Sequence, residues 1–159
     1  MIQTVTLKDL VGKHMLDGVD FYNQRFEHEY YNDQHSSVCR FRLDGKIYKA
    51  VEDPSDGYRS SMDSIFIDPS DKMENEFPPI HVIGEMKEAI TEDFGYTRSC
   101  DILLLKDAAT GLVVLEVGTD NTDDYYPYFV SNFRPENMAI NQLLGENVVG
   151  GERHVNNDF

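Results

Sequence analysis

Alternation of apolar and polar residues is the clearest pattern along this chain, and it predicts strands. Two β-rich runs flank Asp44-Gly45, a dipeptide that favours a two-residue hairpin turn because both central positions take positive φ. Closing that turn sets Leu43 opposite Lys46, Arg42 opposite Ile47, Phe41 opposite Tyr48, Arg40 opposite Lys49 and Cys39 opposite Ala50. Side chains alternate across a strand, so Cys39, Phe41, Tyr48 and Ala50 form a core face. Arg40, Arg42, Ile47 and Lys49 form the opposite face. Like charges directly across a ladder repel, so Arg40 and Lys49 call for an anion, supplied either by acids elsewhere in the chain or by a phosphate or nucleotide. A second hairpin is expected from residues 101–106 and 111–117, joined through Asp107-Ala-Ala-Thr-Gly111. Its arms are rich in large aliphatics, which predicts cover on both sheet faces. Shorter strands are expected at 2–6, 60–67, 79–84 and 126–132, with a charged loop over 68–79.

Helical signals are fewer. Thr6-Leu-Lys-Asp9 has the shape of a capping box, with Asp in the usual Glu position, and predicts one helical turn before Gly12. From Lys13 to Ser37 no single period holds. Within that stretch Tyr22, Phe26 and Tyr30 recur at spacings of four and would line one helical face as core packing. A short acid-rich helix is expected over 86–94. Pro135 suits the first turn of a helix running to Leu144 and stopped by Gly145, with Ile140, Leu143 and Leu144 on one face. The expected fold class is therefore α+β: a mostly antiparallel sheet built from β-hairpins, a C-terminal helix, and one or two short helices. Residues 1–145 are expected to form a single α+β domain, and 146–159, rich in Gly and Asn, a flexible C-terminal tail.

The bulk numbers narrow the class. A chain of 159 residues, 40% hydrophobic and 27% charged, is long enough for one sizeable core and too apolar to be disordered. No apolar run approaches the roughly 20 residues that span a bilayer. The opening Met-Ile-Gln-Thr-Val reads as a strand, not a signal peptide. Cys39 and Cys100 stand far apart, and a reduced pair in the cytoplasm is the expectation.

Charge changes the picture more. The net of −15 is unevenly spread: residues 1–51 hold seven acids and seven bases, 52–101 thirteen and four, 102–159 nine and three. Such a field repels nucleic acid and anionic membranes and attracts basic surfaces or cations. Direct binding to nucleic acid through the acidic regions is excluded, because phosphate contacts need Lys and Arg. The acids cluster where strands end. An apolar strand from Leu115 runs through Glu116 into Asp120, Asp123 and Asp124, closed by Tyr125, Tyr126 and Pro127. A looser copy holds Glu52, Asp53, Asp56 and Tyr58. Both copies are candidate sites, since loops on a rigid scaffold carry much of a protein's function.

Specific chemistry is harder to find. A calcium loop started at Asp120 has Tyr125 sixth and Ser131 twelfth, and one started at Glu52 meets Pro54 at a ligand position; neither meets the requirement for alternating oxygens, a glycine and a final glutamate. Asp101 and Glu116 on facing arms resemble the carboxylates of a magnesium nuclease, yet Glu116-Val-Gly118 lacks the lysine that chemistry needs. Histidines 14, 28, 35, 81 and 154 show no metal-ligand spacing, and neither a phosphate-binding glycine loop nor a thiol-catalysis signature is present. No catalytic residue, metal or cofactor is assigned.

Three functions are compatible with this. The first is a non-enzymatic acidic binding protein, an inhibitor or regulator that docks on a basic, nucleic-acid-binding protein. Glu52, Asp53, Asp56, Tyr58, Glu116, Asp120, Asp123, Asp124, Tyr125 and Tyr126 would make the contact, because tyrosine among carboxylates brings large area at low entropic cost. By composition and size alone the chain resembles the nucleic-acid mimics with which phages block host defences, an analogy that carries no residue over. The second is a metal-dependent hydrolase or nuclease using both acidic turns. The third is a small-molecule binder, of a nucleotide for instance, using Arg40, Arg42 and Lys49.

Overall fold

A computed structural model describes residues 3–26, 34–52, 65–70, 72–87, 90–93, 96–120, 122 and 128–139, with the side chains of 26, 34, 35 and 90–99 left aside. Among these residues the chain is β throughout. Its strands are β1 (Thr4–Val5), β2 (Gly12–Phe26), β3 (Gln34–Leu43), β4 (Lys46–Val51), β5 (Ile65–Asp68), β6 (Glu76–Lys87), β7 (Ile90–Asp93), β8 (Tyr96–Asp107), β9 (Val113–Asp120) and β10 (Tyr128–Phe133). Nine pair in the order β1-β5-β4-β3-β2-β6-β8-β9-β10, all antiparallel, and β7 pairs with the first part of β8. The expected α+β class is overturned. Helical structure among the described residues is limited to two 3₁₀ turns, Leu7–Leu10 and Pro135–Asn137. No helix among the described residues is long and apolar enough to cross a membrane.

The Asp44-Gly45 hairpin has the expected register, pair for pair, from Leu43↔Lys46 to Cys39↔Ala50. Its turn uses φ of 54° at Asp44 and 84° at Gly45, the positive pair that matches strand twist. Phe41 and Tyr48 stack at 5.7 Å on the inner face. The second expected hairpin is β8–β9, and the helical turn expected after Thr6 is the first 3₁₀ turn, with the Thr6 N–H donating to Asp9 Oδ2 at 3.0 Å.

Each lost helix has a physical cause. The aromatic run as far as Phe26 belongs to the 15-residue strand β2, whose alternation is broken by one extra residue; Tyr30 lies outside the described residues. Leu16 pairs with Leu43 and Ile80, Gly18 with Arg42 and Glu76, and Asp17 lies between as a bulge. The inward set therefore switches from His14 and Leu16 to Val19 and Phe21, and no single period can describe it. Within the expected 86–94 helix, Met86 and Lys87 continue β6 and Ile90–Asp93 form β7, because residues 96–107 supply a long partner strand for both. After Pro135 the 3₁₀ turn ends at Asn137, and Met138 returns to extended backbone, buried. There the Asn137 side chain donates to the Val113 carbonyl at 2.7 Å and the Ala139 N–H to Asp107 Oδ2 at 2.6 Å. These bonds to the β8–β9 turn replace the next helical bonds. Ile140, Leu143, Leu144 and the tail 146–159 lie outside the described residues.

The core fills the inner face, with Leu16, Val19, Phe41, Ile65, Ile80, Leu103, Leu105 and Leu115 excluded from water. Phe133 of β10 meets Phe21 of β2 and Phe77 of β6 with ring centroids 6.4 and 5.8 Å apart. Strands four places apart thus touch across the core, so the sheet curls over its inner face. Leu7 and Leu10 of the first 3₁₀ turn are buried in that core. The Leu10 carbonyl rests on Gly84, where a Cβ would come within 2.4 Å of it.

Candidate functional site

Among the acids expected to make contacts, the structure describes Glu52, Glu116 and Asp120; Asp53, Asp56, Tyr58, Asp123, Asp124, Tyr125 and Tyr126 lie outside the described residues. Glu52 follows β4, where its N–H donates to the Ser37 carbonyl at 2.9 Å and its Oε1 accepts from the Ser37 N–H at 3.2 Å. Glu116, on the outer face of β9, accepts from Arg134 at 3.1 Å and Asn132 at 3.3 Å. Asp120 is buried and accepts from the N–H and hydroxyl of Thr122 at 2.8 and 2.7 Å. All three hold local backbone or side chains in place.

Topology keeps Glu52 and Asp120 apart. Five antiparallel steps separate β4 from β9, so the two strands run in opposite senses and their C-terminal ends point to opposite ends of the sheet. Glu52 lies level with Ser37 and Asn23, beyond the last pair between β2 and β6, whereas Asp120 pairs with Cys100, beyond the last pair between β6 and β8. Glu52 and Asp120 share no site. Among the described residues no three of His, Cys, Asp and Glu converge as metal ligands.

The basic face is better ordered. Arg40 and Lys49 are paired as expected, and the chain itself supplies the anions. Arg40 donates to Asp20 and to Asp68, each at 2.8 Å, and to the Lys72 carbonyl at 2.9 Å. Arg42 reaches the bulged Asp17 at 2.6 Å and Glu76 at 2.9 Å. Asp20 is 3% exposed and also accepts from the backbone N–H of Glu74 and Asn75, at 3.0 and 2.8 Å. These bonds tie the connection from β5 to β6 across the outer face of β4, β3 and β2. Met73 is pressed beneath it against Gly18, where a Cβ would sit 3.2 Å from the Met73 methyl. Arg40 and Arg42 therefore serve as anchors of this strap.

Lys49 is placed differently. Its ammonium lies 6.0 Å from the centre of the Tyr22 ring, which Arg40 also approaches at 5.9 Å, and Lys49 pairs across the ladder with Phe66. Tyr22 and Phe66 are 38% and 36% exposed, so an aromatic and basic patch stays open on the outer face. Sequence reasoning identified the need for an anion beside Arg40 but not its source. Asp20 lies in the aromatic run taken as helical, and Asp68 at a strand end taken as loop; the register that demanded an anion was the one available signal. His14, bonded to the turn residue Asp44 at 2.6 Å, had no sequence signal at all.

Cys39 and Cys100 are buried thiols, and the Cys100 thiol donates to the Lys87 carbonyl at 3.2 Å. Burial, reinforced by the nearby Asp20 carboxylate, pushes the Cys39 thiol far above its ordinary range, so it is held as an inert thiol. Comparison with protein-family models, with curated proteins and with solved structures finds no match to this chain.

Proposed function

We propose that this chain is a non-enzymatic acidic binding protein, an inhibitor or regulator that docks on a basic protein whose surface otherwise grips nucleic acid. What supports it is where charge lies along the chain. Residues 1–51 balance seven acids against seven bases, whereas residues 52–159 hold twenty-two acids and seven bases. Among the described bases, Arg40, Arg42, Lys106 and Arg134 are engaged in internal ion pairs. The negative excess thus belongs to the part of the chain that carries both acid–tyrosine stretches. Carboxylates presented this way stand in for phosphates, and adjacent tyrosines add apolar area. The setting assigned to it is the cytoplasm, in keeping with its reduced thiols.

Equal losses of charge at different places test this. D56N/D123N/D124N and E74Q/D101N/E136Q each remove three charges, the first set from the acidic turns and the second from exposed sites on the framework. Affinity is measured against a panel of basic nucleic-acid-binding proteins, with lysozyme as a basic control, at low and high salt. The expected result is salt-sensitive binding to a panel member, displaced by duplex DNA and lost with the first triple only. Equal effects of the two triples, or no preference over lysozyme, would overturn the proposal.

A further inference from the structure

His14 stands where the rim of the sheet meets the 3₁₀ turn that closes the core. Its ring lies between two oxygens: Nδ1 is 2.6 Å from Asp44 Oδ2, and Nε2 is 2.9 Å from the Leu10 carbonyl. A neutral imidazole carries one N–H, so either tautomer sets a nitrogen lone pair against an oxygen lone pair. The imidazolium alone donates at both.

Neither oxygen is loose. Leu10 is buried with Leu7 in the core, and its carbonyl is seated against Gly84. Asp44 Oδ1 accepts from the Met15 N–H at 2.9 Å, and the Asp44 N–H donates to the Met15 carbonyl at 3.0 Å. We propose that His14 is a proton-dependent latch: as an imidazolium it ties the 3₁₀ turn and the Asp44 turn to β2, and loss of its proton releases the turn that closes the core.

The surrounding charges bear on this directly. His14 lines an open cleft of about 320 Å³ with Lys13 of β2, His81 of β6 and Asp44, over an aliphatic floor that includes Val82 and Ile83. Lys13, and His81 when charged, oppose the imidazolium. Asp44 is the one carboxylate lining the cleft among the described residues, and at hydrogen-bond distance it dominates. On the 3₁₀ turn, Lys8 is exposed and Asp9 is bonded to the Thr6 N–H. Burial would raise the Asp44 carboxyl, but the bonds from His14 and from the Met15 N–H outweigh it and hold it below the ordinary carboxylate range. Acid therefore breaks the latch only when Asp44 itself takes a proton, and base breaks it when the imidazolium loses one.

Amide exchange at Val11, whose N–H is bonded to the Lys8 carbonyl at 3.2 Å, reports the turn's opening. After correction for intrinsic exchange, protection should fall as pH rises, by up to about tenfold per pH unit where one proton leaves. D44N is the discriminating variant. Asparagine tolerates positive φ, its amide donates to a neutral Nδ1, and Nε2–H still donates to Leu10. The turn should stay shut and the pH dependence disappear. Imidazole ¹⁵N spectra of the wild-type chain read the same point independently, with two N–H groups on His14 expected wherever the Val11 amide is protected. A neutral His14 ring there, or an equal pH slope in D44N, would overturn the latch.

Discussion

Asp20 is a carboxylate almost without water, yet it accepts hydrogen bonds from Arg40, from the N–H of Glu74 and from both the N–H and the side chain of Asn75. A buried charge on those terms is supported, and the same guanidinium serves Asp68. Burial alone would raise the Asp68 carboxyl. The Ser70 N–H, the Arg40 guanidinium and the charge of Lys49 together hold it below its usual range. A carboxyl lowered by folding adds stability above its unfolded value of about 3.9, and that contribution is lost as pH falls through the lower folded value. Asp68→Asn should therefore lower the thermal midpoint at neutral pH and flatten its decline between about pH 5 and pH 2. Thermal melts of both chains across that range check the sign. A parallel decline would show that Asp68 has the same proton affinity folded and unfolded.

At the level of elements, two glycines separate a turn requirement from a contact requirement. Gly45 has φ of 84° with open space around it, whereas Gly84 meets the Leu10 carbonyl. Gly45→Ala should cost about 1 kcal/mol through backbone strain alone. Gly84→Ala should cost more, because it forces the 3₁₀ turn off the core and exposes Leu7 and Leu10. Urea unfolding of the two variants gives the ranking, and a smaller loss for Gly84→Ala would show that the turn contributes little. The β3–β4 hairpin was legible from sequence because its turn chemistry and its alternation agree. β2 was not, because a single bulged residue reverses its faces midway, and a spacing of four, as between Tyr22 and Phe26, fits a strand face as well as a helical one. Pro135 announces a helical start correctly, but its continuation is decided by Asp107 and Val113, more than twenty residues earlier, and no local signal reports that. The acidic turns were found as sequence features. The placement of Glu52 and Asp120 at opposite ends depends on strand count, which only the topology supplies.

Across the whole molecule, the sheet is two meanders joined edge to edge. β2 to β5 fold back and forth with β1 added outside β5, β6 to β10 do the same on the other side, and the β2–β6 pairing is the seam. The strap anchored by Arg40 and Asp20 is the one chain connection between them. Among the described residues, the β2–β6 seam is the one strand pair that joins a residue before Ser70 to one after Lys72. The protein is thus divisible at the strap: residues 1–70 and 72–159, produced as separate polypeptides, each carry a complete meander and one side of the seam. Mixed together, they should reassociate into a noncovalent copy of the intact sheet, detectable by co-elution and recovered β circular dichroism, and Arg40→Met in the first fragment should weaken that reunion. Fragments that never combine would mean that the covalent link through the strap is indispensable to docking the two halves.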